Sequence, residues 1–296
     1  MVLLFTGMKN TALPQNHENN NSILIDTGYV IVDGGKLYYE AAGTGDCLVL
    51  LHDGIVHSTI WDEQFLEFAR KYRVIRYDRR TYGKSSDPET LYSHIEDLNQ
   101  VFTQLNINKA VVFGMSSGGR LAIDFALKYP EKVDGLVLVG AAVSGYGYSQ
   151  HLLSRGGRID LNNFSNPDDL INLIITEDPY EFYMENIQAK QKVMKMLEST
   201  KPSHGVREEG KEKLLVGAER PAINFLLEIQ VPTLILVGEF DIPDVHAFAG
   251  AINAGIANSI RDIVPKAGHL IPIEQPEYFN KRVDDFFRVS SAQRNR

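Results

Sequence analysis

The chain has 296 residues, of which 44% are hydrophobic and 23% charged, a composition that is ordinary for a globular protein. Its formal net charge is -8 and no Lys/Arg-rich run stands out, so its acidic surface argues against nucleic acid as a partner. The single cysteine excludes an internal disulfide, no Cys/His spacing resembles a zinc site, and no apolar run reaches the roughly 18 residues of a membrane span, so we expect a cytoplasmic protein.

Residues 1–22 are predicted to be a disordered leader. The stretch Pro14–Ser22 is polar and rich in asparagine, a composition that cannot bury a core. The apolar run Val2–Phe5 lacks a basic region and is shorter than the about 7–15 residues of a signal-peptide core.

Strand and helix patterns alternate after the leader. Two strand-like runs around the turn Asp33-Gly34-Gly35 predict a β-hairpin. Short apolar runs predict the buried strands Cys47–Leu51, Tyr72–Tyr77, Ala110–Phe113, Gly135–Val139, Thr233–Val237 and Ile260–Val264. Apolar residues at helical spacing predict the helices Ile60–Lys71, Ser93–Leu105, Ser117–Tyr129 and Tyr278–Val289. Residues 23–141 and 230–296 should therefore form a mostly parallel eight-stranded sheet with helices on both faces.

Residues 142–229 interrupt this alternation and are predicted to be an inserted helical lid. The stretches compatible with a helix are Asp168–Ile175, Pro179–Leu197 and Glu209–Leu215. Aromatic side chains in this region either line a substrate pocket or pack the lid's own core; they are Tyr146, Tyr148, Phe164, Tyr180, Phe182 and Tyr183.

The strongest motif is Gly114-Met115-Ser116-Ser117-Gly118, a Gly-x-Ser-x-Gly sequence between a predicted strand and a predicted helix. A sharp strand-to-helix turn strains the backbone of the central serine, and the glycines leave room where a Cβ would collide. The hydroxyl then projects above the sheet at a helix N-terminus. Ser116 is therefore the predicted nucleophile.

A serine nucleophile needs a base and an acid that orients the base. His269 follows the last predicted strand, at the edge where parallel α/β sheets present functional groups, and is the predicted base. Asp241 follows the strand Thr233–Val237 and is the favoured acid, with Asp244 and Glu239 as alternatives. An ordinary histidine titrates near about 6.5, so kcat/KM should fall below an apparent pKa of roughly 6–7.5.

The oxyanion of an acyl-transfer intermediate needs two main-chain N–H donors. We assign them to Ser117, which follows the nucleophile, and to Gly54, in the loop after Cys47–Leu51. Ile55 is the alternative to Gly54.

Asp53 lies beside this proposed donor, where its charge would oppose the oxyanion. At about 4–6 Å and an effective dielectric near 20 the cost is on the order of 3–4 kcal/mol. The carboxylate is therefore expected to point away from the site. It either pairs with Arg79 or Arg80, or caps its own loop by accepting main-chain N–H groups.

Over roughly Tyr29 to Val289 the chain resembles lidded members of the α/β-hydrolase superfamily. Besides the Gly-x-Ser-x-Gly motif, the stretches that match in order are His52-Asp53-Gly54, Tyr77–Ser85, Val231–Asp241 and Ala267-Gly268-His269. Asp53 and Thr81 stand where the family usually has glycine. The resemblance implies chemistry by a Ser-His-Asp triad, without a metal or organic cofactor.

Two residues indicate which members of the superfamily the chain resembles most. A serine at position 116 disfavours epoxide hydrolases and haloalkane dehalogenases, which have aspartate there. Met115 disfavours the hydrolases of ring-fission products, which often have asparagine there. The pattern is closest to enol-lactonases, small esterases and cofactor-free haloperoxidase-like hydrolases.

The sequence therefore predicts hydrolysis of a small carboxylic ester or lactone through an acyl-enzyme. An amidase or aminopeptidase with the same triad is one alternative. A ligand-binding receptor on the same scaffold is another, because a fold does not fix a function.

Overall fold

The computed structural model describes residues 23–156, 184, 186–198 and 214–294. The predicted leader therefore lies outside the described residues, as do the predicted helix at 168–175 and the lid aromatics Phe164, Tyr180, Phe182 and Tyr183.

Eight strands form one sheet in the order β1-β2-β4-β3-β5-β6-β7-β8. The strands are β1 (Ile25–Val32), β2 (Gly35–Ala42), β3 (Cys47–Leu51), β4 (Arg73–Tyr77), β5 (Ala110–Met115), β6 (Val133–Val139), β7 (Thr233–Gly238) and β8 (Ser259–Val264). Only β2 runs against the others, pairing antiparallel with β1 and β4. The predicted sheet, including the hairpin at its start, is confirmed.

Helices cover both faces of this sheet. Those described are α1 (Asp62–Ala69), α2 (His94–Gln104), α3 (Ser117–Lys128), α4 (Gln150–Gly156), α5 (Ile187–Glu198), α6 (Pro243–Gly255), α7 (Ile271–Glu274) and α8 (Pro276–Arg294). In the described part of the chain, no helix is both long enough and apolar enough to cross a membrane.

The strands are apolar throughout because each buries both of its faces. In β3, Val49 and Leu51 belong to the core that α2, α3 and α6 complete. Leu48 and Leu50 point the opposite way, into the core that α1 and α8 complete. Successive side chains of a strand alternate between faces, so an uninterrupted apolar run fills two cores at once.

The strand order determines where a site can form. From β3 the chain crosses to β4 on one side, whereas from β5 it continues to β6 on the other side. Connections that leave neighbouring parallel strands in opposite directions open a crevice at the carboxyl ends of those strands. The loop that begins at His52 and the turn at Ser116 border this crevice.

Helix α6 is not among the predicted helices. Its sequence is mostly small and apolar, with a glycine at Gly250, so it lacks the polar stripe that marks an amphipathic helix. The helix predicted at Ile60–Lys71 is shorter, because Ser58–Trp61 forms a 3-10 turn before α1. Between β6 and β7, part of the predicted helix Pro179–Leu197 is present as α5.

Gly238, the last residue of β7, provides a first prediction. A Cβ at this position would lie 2.5 Å from the carbonyl oxygen of Ala267 and would also collide with that of Gly268. We expect Gly238→Ala to displace the loop before His269 and to lower the free energy of unfolding by about 1–3 kcal/mol. Urea denaturation measures this loss.

The matched control is Gly217→Ala, because nothing lies within 4 Å of a Cβ built at Gly217. Its unfolding free energy should change by no more than about 0.5 kcal/mol. Equal losses in the two variants would contradict the steric explanation.

Candidate active site

Ser116 occupies the turn between β5 and α3 with φ 52° and ψ -115°. A non-glycine residue at positive φ is strained, and such strain persists only where the surroundings enforce it. The Ser116 N–H donates to Val139 O at 2.9 Å, and its carbonyl accepts from Arg120 N at 3.1 Å. This is the turn that the Gly-x-Ser-x-Gly sequence predicts.

Gly118 allows the turn to sit directly against β3. A Cβ on Gly118 would lie 2.6 Å from the carbonyl oxygen of Leu51, the last residue of that strand. The absence of a side chain here therefore brings the first turn of α3 against the loop that begins at His52.

Asp241 and His269 meet across two loops. The Asp241 carboxylate contacts the His269 ring with an Oδ2 to Nδ1 distance of 2.8 Å. Because a carboxylate only accepts hydrogen bonds, Nδ1 carries a proton, and Nε2 is the ring nitrogen that does not face Asp241. The other carboxylate oxygen accepts the Ile242 N–H at 2.8 Å, which fixes its orientation.

Gly140, the residue after β6, brings the His269 ring beside the turn at Ser116. A Cβ on Gly140 would lie 3.0 Å from Cε1 and Nδ1 of His269. The preceding residue, Val139, accepts the Ser116 N–H. The Ser116 hydroxyl itself makes no hydrogen bond to a described residue. Bonds of this kind commonly tighten only when substrate binds.

The charges around His269 make it an unusually strong base. Burial alone lowers the pKa of His269, but the carboxylate of Asp241, helped by Asp53 and Glu274, raises it to about 9. The ring therefore becomes neutral, and able to accept a proton, only as the pH approaches 9. The same pairing stabilises the fold below about pH 6.5 and ceases to do so as the pH rises through about 9.

The two candidate N–H donors in the loop after β3, those of Gly54 and Ile55, differ in their hydrogen bonds. Ile55, the alternative donor, already gives its N–H to Asp53 Oδ1 at 2.6 Å. A Cβ on Gly54 would lie 3.1 Å from Ser117 Oγ, so the two predicted donors are neighbours. No described residue accepts the N–H of either Gly54 or Ser117.

Asp53 is fully buried and caps its own loop. Its Oδ1 accepts main-chain N–H groups from Ile55 at 2.6 Å and Val56 at 2.8 Å. The expected pairing with an arginine is wrong for the carboxylate, because Arg79 contacts the Asp53 carbonyl instead and Arg80 pairs with Asp97. Burial raises the pKa of Asp53, while the two N–H groups lower it. Its Oδ2 has no hydrogen-bond partner among the described residues.

Asp244, an alternative acid, is hydrogen-bonded to Ser149. It accepts the main-chain N–H of Ser149 at 2.5 Å and the hydroxyl of the same residue at 2.9 Å. The third candidate, Glu239, accepts the N–H of Lys266 at 2.9 Å. The described contacts therefore bring only Asp241 of these three acids into hydrogen-bond contact with His269.

Glu274 is a residue that the sequence prediction missed. Its buried carboxylate accepts the N–H of Gly268 at 2.9 Å and that of Leu270 at 2.8 Å. These two groups flank His269, so the carboxylate holds the loop on both sides of the ring. Burial raises the pKa of Glu274 to about 7, against the effect of the two N–H donors. A lone acid in the apolar run after His269 is the only sequence signal for this role.

No group of three or more His, Cys, Asp or Glu side chains suited to a metal occurs within residues 23–156, 184, 186–198 and 214–294. A groove of about 980 Å³ opens between α2, α3 and Val216–Arg220. None of the predicted catalytic residues lines it, and its walls carry charges of both signs.

Comparison with known proteins gives a consistent family. Residues 48–276 match the family model described as alpha/beta hydrolase fold. An uncharacterized carboxylesterase, nap, of Bacillus subtilis (strain 168) is 27% identical, covering 89% of this chain and 87% of the relative.

Two further relatives differ in their named activities. A putative 2-succinyl-6-hydroxy-2,4-cyclohexadiene-1-carboxylate synthase of Bacillus subtilis (strain 168) is 30% identical, covering 83% of this chain and 92% of the relative. The structure of Est816, described as an N-acyl homoserine lactone degrading enzyme, has a TM-score of 0.70 and 25% identity, covering 88% of this chain and all of that one.

The contact between Asp241 and His269 leads to a prediction about titration. In NMR spectra, the His269 imidazole should titrate near pH 9 in the natural protein. In Asp241→Asn its pKa should fall well below 9, because the carboxylate that contributes most against the effect of burial is then neutral.

Asp244→Asn is the matched control, since it neutralises a carboxylate three residues away that binds Ser149. Its effect on the His269 titration should be small. A large shift in this variant, with none in Asp241→Asn, would identify Asp244 as the partner of the histidine.

Proposed function

The chain belongs to the α/β-hydrolase family, and from this we propose that it hydrolyses a small carboxylic ester or lactone. The observation that carries the proposal is the contact between Asp241 and His269 beside the strained turn at Ser116. The named activities of the carboxylesterase and lactonase relatives support the choice of an ester bond.

The proposed reaction proceeds through an acyl-enzyme. The Ser116 oxygen attacks the carbonyl carbon, and Nε2 of His269 takes the hydroxyl proton. The tetrahedral oxyanion accepts hydrogen bonds from the N–H groups of Gly54 and Ser117. When the intermediate collapses, His269 gives the proton to the leaving alkoxide. It then deprotonates water, which releases the acid and restores the Ser116 hydroxyl.

Asp241 serves this cycle by holding the tautomer of the base and by stabilising the imidazolium. The acid limb of kcat/KM should follow the raised pKa of His269, so activity should increase with pH towards about 9. This replaces the apparent pKa of roughly 6–7.5 that an ordinary histidine would give.

The alternatives to ester hydrolysis can be tested with the same protein. An amidase or aminopeptidase would use the same triad on a poorer leaving group. A receptor would bind a ligand without turnover. The synthase relative gives a reason to include its named reaction among the assays.

The nucleophile provides the direct test. Ser116→Ala should abolish covalent labelling by a fluorophosphonate and remove nearly all hydrolysis of a short-chain nitrophenyl ester, because the attacking oxygen is gone. Mass spectrometry of the labelled peptide and initial rates measure the two effects.

Ser117→Ala is the matched control, because it keeps the main-chain N–H that the oxyanion needs and should retain labelling. Labelling of the Ser116→Ala protein at another serine contradicts the assignment. Labelling at Ser116 without ester turnover would leave the nucleophile in place and favour an amidase or a synthase.

We further propose that residues 142–229 form a lid that selects substrate. The rings of Tyr146 and Tyr148 each lie edge-on to Phe248 of α6, at centroid distances of 5.5 and 5.2 Å. Ser149, the residue after Tyr148, donates to the carboxylate of Asp244, which lies three residues after the proposed acid Asp241.

Tyr148→Ala should change the ranking of ester substrates of different chain length more than it changes the melting temperature. Initial rates across an ester series and thermal unfolding make the comparison. Leu153→Ala, on the exposed face of α4, is the control. A loss of stability with an unchanged substrate ranking would show that Tyr148 only packs against Phe248.

A further inference from the structure

Arg79 connects Asp53, the residue before the proposed donor Gly54, with Ser117, the other proposed donor. It follows β4, is only 4% exposed, and reaches back across the loop after β3. Its Nη2 donates to the main-chain carbonyl of Asp53 and to Ser117 Oγ, the latter at 2.9 Å. One guanidinium nitrogen therefore holds the peptide before Gly54 and the side chain of Ser117.

The first of these contacts fixes the direction of a donor. The Asp53 carbonyl and the Gly54 N–H belong to one planar trans peptide, so they point in opposite directions. A cation that holds the carbonyl from one side therefore turns the N–H towards the other side.

A second contact from Arg79 reaches the same carbonyl through His52. The Arg79 N–H donates to His52 Nε2 at 3.0 Å, which leaves the ring proton on Nδ1. That Nδ1 lies 2.8 Å from the Asp53 carbonyl oxygen. The main chain and side chain of Arg79 thus both act on one oxygen atom.

The positive charge of Arg79 also affects the strength of the Gly54 donor. An arginine guanidinium stays protonated in proteins, and in a buried site its field is weakly screened. By drawing electron density onto the Asp53 oxygen, it makes the Gly54 N–H a stronger hydrogen-bond donor. It also places positive charge beside the buried Asp53 carboxylate, which would otherwise oppose an oxyanion.

We propose that Arg79 is a positioning residue of the oxyanion hole, which aims and strengthens the Gly54 donor and anchors Ser117. This inference rests on the proposed function, because it needs Ser116 as the nucleophile. Arg79 itself acts through the peptide and does not touch the substrate.

Arg79→Met removes the charge and the hydrogen bonds while keeping an unbranched side chain. Losing one donor of an oxyanion hole lowers kcat by about 10²–10³-fold. Since Arg79 acts indirectly, we expect kcat for a nitrophenyl ester to fall by about 10–100-fold, with KM within a few-fold. The affinity for phenylboronic acid, whose adduct mimics the tetrahedral intermediate, should fall in parallel with kcat.

Arg79→Lys keeps the charge on a side chain that is one atom shorter, so its kcat and boronate affinity should lie between those of Arg79→Met and the natural protein. It also tests the proposal if Arg79→Met fails to fold. The matched control is Arg80→Met: Arg80 is 1% exposed and bonds Asp97 at 2.7 and 3.0 Å, away from the donors. We expect Arg80→Met to lose stability but to keep kcat within about two-fold.

The outcomes separate this inference from the proposed function. If fluorophosphonate does not label Ser116 of the natural protein, the proposed function fails. If it does label Ser116, and kcat and boronate affinity of both Arg79 variants match the natural protein, only the role of Arg79 is overturned. Equal losses of kcat in Arg79→Met and Arg80→Met would likewise reduce Arg79 to a structural residue.

Discussion

The backbone of Ser116 is held at φ 52°, and the site is arranged around that strain. A non-glycine residue in such a region costs about 1–3 kcal/mol, so the turn persists only because its neighbours restrain it. On one side the N–H of Ser116 is bonded to β6, and on the other its carbonyl is bonded to the first turn of α3. The two cores that bury the sheet therefore maintain the geometry of a single residue.

Several ionisable side chains are buried at this same edge of the sheet. Each lies close to a group that determines whether it carries a charge. His52 is held neutral, since burial and the cation of Arg79 lower its pKa well below the usual value. His269 is held basic by the Asp241 carboxylate. These two imidazoles thus differ in charge, because one faces an arginine and the other a carboxylate.

The departure from the family pattern at Asp53 fits this arrangement. A carboxylate beside an oxyanion is unfavourable unless its charge is offset, and the loop provides two N–H groups to Oδ1. Arg79 lies against the carbonyl of the same residue. The expected ion pair with arginine is thereby replaced by contacts to the main chain, which offset the charge and also fix the loop.

The local part of the site was predictable because its signal lies within a few residues. Gly114 and Gly118 identify the turn at Ser116, since the pattern stands between an apolar run and a helical one. The choice between Asp241 and Asp244 had no such local signal. It depends on Ser149, which lies 95 residues before Asp244 and donates a hydrogen bond to the Asp244 carboxylate.

Glu274 illustrates the other limit of sequence reasoning. A carboxylate in the apolar run after His269 resembles a surface residue until its two N–H partners are known. Helix α6 was missed for a related reason, because its small apolar residues lack amphipathic periodicity. In both cases the deciding interactions are tertiary and leave no periodic pattern in the chain.

The segment between β6 and β7 is attached to the core at its two ends, close to the elements that carry the proposed nucleophile and acid. Ser144 donates to Asp124 of α3 at 2.6 Å and accepts the N–H of Ala222, 78 residues later, at 2.8 Å. Because the ends already meet, doubling the length between them costs only about 0.6 kcal/mol of loop-closure entropy. The length between these ends can therefore change with little effect on the turn at Ser116, except where α5 packs into the core through Val193, Met196 and Leu197. This separates the proposed lid from the proposed chemical step.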